Sequence, residues 1–173
     1  MLSLLLYSNK TSFVEGAISM KSFIFRKAKA SDKYKILSLV KEVLEEYGLD
    51  LNPEVEDLDI TNIKKFYYEN NGGFEVIEFN RQIIGTYGIY KIDEETCELR
   101  KMYLNKEFQG LGLGNIMLEN SFKLARSLNY KKITLQTNSI LYKAVKLYKK
   151  YGFEKFEEEV CERCDLAMIR EIA

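Results

Sequence analysis

Gln109-Gly110-Leu111-Gly112-Leu113-Gly114 separates a strand-like run, Leu99-Arg100-Lys101-Met102-Tyr103-Leu104, from a long amphipathic helical pattern. Glycine weakens the interior of a strand or helix, so three of them at alternate positions do not serve a core. They let the backbone approach something closely, and they leave several N–H groups aimed into the turn that opens the helix. Amide donors aligned with the positive end of a helix dipole form a seat for phosphate or pyrophosphate. The stretch reads as an anion cradle; a plain glycine-rich turn is the structural alternative.

Two nucleotide fingerprints fail at this site. A dinucleotide fold wants Gly-x-Gly-x-x-Gly, and the third glycine position holds Asn115. It also wants an acidic residue about 20 positions on, where the chain reads Asn129-Tyr130-Lys131-Lys132. A nucleoside-triphosphate loop needs Gly-Lys-Ser/Thr at the helix entry, and Gly114 is followed by Asn115-Ile116.

The signature Gln/Arg-x-x-Gly-x-Gly/Ala is present as Gln109, Gly112 and Gly114. Downstream, after one β-rich run, comes Ala144-x-x-Leu147-Tyr148-x-x-x-Gly152-Phe153. The two motifs in this order resemble the GNAT superfamily of acetyl-CoA-dependent N-acetyltransferases, and the resemblance covers residues 22–171. It implies an α+β fold layered α/β/α, with a mixed, mostly antiparallel sheet and a splayed parallel pair of central strands. It also implies acetyl-CoA as cofactor and an amine as acceptor.

Carried over residue by residue, the resemblance makes the backbone of Met102 and Leu104 the seat of the pantetheine arm, with Tyr103 between them facing the other way. Gln109, Gly110, Leu111, Gly112, Leu113 and Gly114 would wrap the pyrophosphate, and Asn115 would start the helix beneath it. Tyr148 would reach the thioester sulfur and protonate the departing thiolate. A phenol has a pKa near 10, close to that of an aliphatic thiol, so the transfer is nearly balanced. The alternative is a packing tyrosine, one of 12 in the chain. Glu98 is the candidate general base, sharing a face with Arg100 and Met102 by the two-residue period of a strand. A glutamate paired with Arg100, with a water chain as base, is the competing reading. Where many family members carry an asparagine, three residues before the motif alanine, this chain has Leu141. Asn138 is the nearest substitute for bonding the arm.

At 173 residues the length suits one domain with a sizeable core. Lys plus Arg and Asp plus Glu number 26 each, so no global field steers the chain to nucleic acid or an anionic membrane. No apolar run reaches the length of a membrane span. The absence of histidine removes Ser-His-Asp and Cys-His catalysis and all imidazole metal sites. Acid–base work falls to Asp, Glu, Tyr, Lys, Cys or ordered water.

Cys97, Cys161 and Cys164 suggest a reducing compartment rather than a disulfide framework. Cys161-x-x-Cys164 is at most half of a zinc site, and the other ligands are lacking, so no metal is expected. A redox pair is formally open, but the expected setting for both residues is an ordinary strand. Residues 2–7 are apolar but too few for a signal-peptide core. Residues 1–19 are expected to be an extension outside the fold, with one domain spanning 20–173.

Element by element, the pattern predicts a strand over 23–29 and a helix capped by Ser31 or Asp32, with Ile36, Val40, Val43 and Tyr47 at helical spacing and Gly48 as its stop. A loop over 50–59 and a second helix over 60–69 follow. Strands are expected at 74–79, 83–92 and 97–104, a helix at 115–128, a strand at 132–136 and a helix at 142–151. Two last strands are expected at 153–157 and 164–170. The acids Glu54, Glu56, Asp57 and Asp59, facing Glu157, Glu158 and Glu159, would give an acidic mouth suited to a cationic amine. The plainer reading is a set of solvated loops.

The leading expectation is a cytoplasmic N-acetyltransferase moving the acetyl group of acetyl-CoA to a primary amine by direct attack in a ternary complex. A non-catalytic acyl-CoA-binding or sensor domain is the alternative. The acceptor would be a small-molecule or protein amine, and the resemblance leaves room for a homodimer through the late strands.

Overall fold

The computed structural model describes residues 23–172. The expected extension over residues 1–19 and the domain start at Met20 lie outside them. Strands β1 (Ile24–Lys27), β2 (Gly73–Phe79), β3 (Gln82–Lys91), β4 (Thr96–Leu104), β5 (Lys132–Thr137), β6 (Glu154–Lys155) and β7 (Leu166–Glu171) form one sheet. Their order is β1-β2-β3-β4-β5-β7-β6, with β4–β5 the parallel pair. Helices α1 (Lys33–Glu45), α2 (Leu58–Thr61) and α3 (Ile63–Phe66) pack on one face, and α4 (Leu113–Ser127) and α5 (Tyr142–Lys150) on the other. The layered α/β/α expectation holds.

Two apolar clusters explain the layering. Ile36, Leu39, Val40, Val43 and Leu44 fall on one stripe of α1 and meet Phe74, Val76 and Ile83 of the sheet. On the opposite face Leu113, Met117, Leu118, Phe122 and Ala125 of α4 cover Ile84, Tyr87, Ile89 and Leu99. The middle of β3 is buried on both sides, which is why it reads as a continuous apolar run.

The expected helix over 60–69 is broken into α2, α3 and a 3-10 turn at Tyr68–Asn70. Asn62 leaves helical geometry at φ −147°, ψ 74°, and its side chain accepts from Lys65 N at 3.1 Å, restarting the helix as a cap. The late strands are shorter than expected. Cys161 and Cys164 lie outside both of them, at the ends of a turn closed by Cys164 N to Cys161 O at 2.8 Å, and they are joined by a disulfide. The expectation of unpaired strand cysteines does not hold; Cys97, buried in β4, is the free thiol.

Two irregularities place the site. β4 and β5 pair only over Thr96↔Lys132, Cys97↔Ile133 and Glu98↔Thr134. Beyond that, β5 stays with β7 as far as Thr137↔Leu166 and β4 stays with β3 as far as Leu104↔Gly85, so a gap opens between them. Second, the β3–β4 register jumps from Gly88↔Arg100 to Thr86↔Tyr103, leaving Lys101 and Met102 opposite Tyr87. Lys101 sits in left-handed geometry at φ 53°, the extra residue of a β-bulge.

Candidate active site

A cleft of about 780 Å³ fills the gap between the splayed strands. One end is the glycine turn. Gly110 and Gly112 each adopt φ 82°, where a side chain is strained, although an added Cβ would touch nothing within 4 Å. Gly112 is the N-cap of α4, so the helix begins two residues before the expected Asn115. Among the described residues the N–H groups of Gly110 to Gly114 make no backbone hydrogen bond. They are a row of orphan donors at a helix N-terminus.

Side chains finish this end. Gln109 donates from Nε2 to Leu104 O at 3.2 Å and accepts at Oε1 from Lys143 Nζ at 3.0 Å. Lys150 Nζ donates to Asn115 Oδ1 at 3.2 Å. Two ammonium groups from α5 therefore flank the turn. Leu113 is fully buried in the core and Leu111 is exposed, and neither lines the cleft, whereas Gly110, Gly112, Gly114 and Asn115 do.

Along β4, Met102 and Leu104 pack toward α4 while Tyr103 packs toward α1, the alternation expected for these three. Glu98 shares a face with Arg100, as expected, but not with Met102. It is in register with Tyr90, and Arg100 stacks 3.8 Å from the centre of the Tyr90 ring, on the α1 face. Met102 lies on the opposite face because Lys101 inserts an extra residue and shifts the two-residue count. Glu98 is buried, and both contacts from Arg100, at 2.5 and 2.6 Å, use Oε2. Burial pushes its carboxyl above the ordinary glutamate range, and the Arg100 charge and hydrogen bond only partly oppose the shift.

Tyr148 enters the cleft from α5, packed against Phe153 at 5.7 Å between ring centres. Its hydroxyl makes no hydrogen bond among the described residues. Burial, and then the neighbouring Tyr103, push the phenol well above 10, so the group is held protonated. Asn138 lies on the wall beyond β5 with its amide engaged: Nδ2 donates to Arg163 O at 2.9 Å and Oδ1 accepts from Ile140 N at 3.0 Å. Leu141 caps α5 without a side-chain bond and also lines the cleft.

The acids over 54–59 are not all solvated. Asp57 is fully buried, salt-bridged to Lys101 at 2.7 Å and to Arg163 at 2.8 Å. Burial alone would raise its carboxyl, but the Arg163 and Lys101 bonds outweigh it and hold it at about 2. Asp59 is buried too, accepting from Tyr67 Oη at 2.5 Å. Glu54 stays exposed, as do Glu157, Glu158 and Glu159. Lys101 and Arg163 were not foreseen as site residues. The signal for Lys101 was a second basic residue next to Arg100 inside an otherwise alternating strand.

The GNAT acetyltransferase family model matches residues 37–153. The chain is 27% identical over 164 residues to YjgM of Escherichia coli (strain K12), an uncharacterized N-acetyltransferase; the match covers 90% of this chain and 98% of that one. The fold superposes on a GNAT-family acetyltransferase from Staphylococcus aureus Mu50 with a TM-score of 0.82 at 19% identity, covering 87% and 99% of the two chains. A GNAT-family acetyltransferase from Elizabethkingia anophelis with acetyl-CoA bound gives a TM-score of 0.62 at 23% identity, covering 87% and 98%. With the family model spanning more than half its length, this chain belongs to the GNAT family of acetyltransferases.

Proposed function

We propose that the protein transfers the acetyl group of acetyl-CoA directly to a primary amine, both substrates being bound in the one cleft. The observation that carries this reading is the split between β4 and β5, with orphan amides at one end and Tyr148 and Glu98 further in. The residues fit the donor molecule. The Gly110–Gly114 amides, with Lys143 and Lys150 beside them, suit a pyrophosphate, and the unpaired edges of β4 and β5 suit the amides of a pantetheine arm. Bound there, acetyl-CoA supplies an activated acyl group whose leaving group is a thiol.

The chain's own groups then have separable tasks. Met102, in the bulge and free of the β5 ladder, offers its backbone to the acyl carbonyl. Glu98 takes the proton that an acceptor ammonium must lose. Its raised affinity for protons brings it nearer the working pH, and its Oε1 has no partner among the described residues. Tyr148, held protonated, delivers a proton to the departing sulfur. Asn138 holds the turn that carries Arg163, and Leu141 leaves the α5 entry to apolar contact. Glu158, whose charge acts on Glu98, and Glu162, which lines the cleft, add negative charge that attracts a cationic amine.

The test is incubation with acetyl-CoA and a panel of primary amines, following free thiol and the mass of the acetylated product. Equal amounts of thiol and N-acetyl product with one amine class are expected. Thiol release without product, or acetyl-CoA binding with no turnover across the panel, contradicts the reading.

A further inference from the structure

Acetyl transfer leaves one fully buried carboxylate without a task. Asp57 comes from the loop after α1, yet it binds cations from two distant segments on opposite sides of the cleft. Lys101 Nζ donates to Oδ1 at 2.7 Å and to Glu56 O at 2.5 Å. Arg163 makes a two-pronged pair, Nη1 to Oδ2 at 2.8 Å and Nη2 to Oδ1 at 3.0 Å. Asn52 N adds a bond to Oδ2 at 2.9 Å.

Each cation is tied to a cleft wall. Lys101 is the bulge residue of β4, its strained left-handed backbone fastened by Thr86 Oγ1 to Lys101 O at 2.8 Å. Arg163 sits inside the Cys161–Cys164 turn, which is tied to the β5 side by Gln136 Oε1 accepting from Cys161 N at 2.8 Å and by Asn138 Nδ2 on Arg163 O at 2.9 Å. The two walls share no ladder bond beyond Glu98↔Thr134. A chain of buried polar contacts therefore runs from the β4 bulge through Asp57 to the far side of β5, bridging the gap where the sheet does not.

We propose that Asp57 is the positioning residue of this site: through Lys101 and Arg163 it fixes the spacing of the β4 and β5 walls in which the acyl group and the amine meet. This rests on the acetyl-transfer reading. Misplacement by about 1 Å in such a site costs on the order of 100-fold in rate, while contacts to the distant pyrophosphate end are untouched. The signature is thus a fall in kcat without a matching loss of acetyl-CoA binding.

The test compares Arg163→Gln, Arg163→Lys and Asp57→Asn with the unaltered protein, measuring kcat, the acetyl-CoA Kd by titration calorimetry, and amide hydrogen exchange. Arg163→Gln is expected to lower kcat by about tenfold or more with the Kd changed less than about threefold, and Arg163→Lys, which keeps the charge but not the two-pronged pair, to recover part of it. Arg163→Gln should also speed exchange at Arg100 and Tyr103, the ladder residues on either side of the bulge, and leave Gly110 to Gly114 unchanged. Asp57→Asn should loosen both walls together; should it not fold, the two Arg163 variants decide alone. A folded Arg163→Gln with normal exchange at Arg100 and Tyr103 overturns the proposal. So does a loss of kcat that only tracks lost acetyl-CoA binding. If the unaltered protein acetylates no amine, the acetyl-transfer reading fails instead, and the exchange across the gap still decides whether Asp57 couples the walls.

Discussion

The two ends of the cleft are built by different physics. On the acetyl-transfer proposal the donor end is mainly backbone: a turn of orphan amides, two positive-φ glycines and a helix N-terminus, all within a few consecutive residues. The acceptor end is side chain: Glu98 with Arg100 on β4, and Asp57 shared between Lys101 and Arg163 from three separate parts of the chain. Backbone donors need no partner chosen elsewhere in the sequence. Buried charges do, since an uncompensated one costs several kcal/mol. The glycine turn is therefore sensitive above all to glycine replacement, and the charged end to loss of any one partner.

Glu98→Gln probes the acceptor end with the largest expected effect. Removing the proposed general base should lower kcat about 100-fold while acetyl-CoA binds as before. Because burial raises the Glu98 carboxyl, kcat/KM of the unaltered protein should climb with pH through a value above about 4.3, the ordinary glutamate figure. The variant should lack that acidic limb. An unchanged limb would mean that another group, or a water chain, takes the proton.

Gly112→Val attacks the donor end. Forcing a branched residue into φ 82° misaligns the amides, and losing one or two charge-assisted bonds should weaken acetyl-CoA about 10- to 100-fold. The amine KM should barely move. If both substrates weaken together, the two ends are not separable in the way described here.

A smaller effect reads the acceptor end through stability. The Asp57 carboxyl is held at about 2, below the unfolded value near 3.9, so its contribution is fully present above about pH 4. It is lost as pH falls from about 4 toward 2, and amounts to between about 2 and 3 kcal/mol. Urea unfolding of Asp57→Asn should show a shallower acid dependence in that window; an identical slope would place the acid sensitivity elsewhere. Smallest is the Cys161–Cys164 bond, which closes a short loop worth about 1 to 2 kcal/mol. Thiol titration of the denatured, unreduced protein should find one free cysteine, Cys97. Three would show the pair to be open.

The same contrast governs what the sequence disclosed. The glycine turn, the β4 run, the α4 stripe and the placement of Tyr148 on α5 were legible because each is a local pattern of fixed period or spacing. Lys101 was not, because a bulge inserts a residue and spoils the two-residue count, which put Met102 on the wrong face relative to Glu98. Asp57 read as part of a solvated acidic loop because charge runs usually are, and its partners lie 44 and 106 positions away. Asn62 hid a helix break behind a periodic pattern, and the Cys161-x-x-Cys164 spacing that marked a pair was outweighed by the β-like run around it.

The most direct test of the central claim is Tyr148→Phe, with thiol release and acetyl-CoA affinity measured on the same preparation. The account predicts that turnover falls about 100-fold while the affinity for acetyl-CoA stays within about threefold. A Tyr148→Phe protein that turns over as fast as the unaltered one would contradict it.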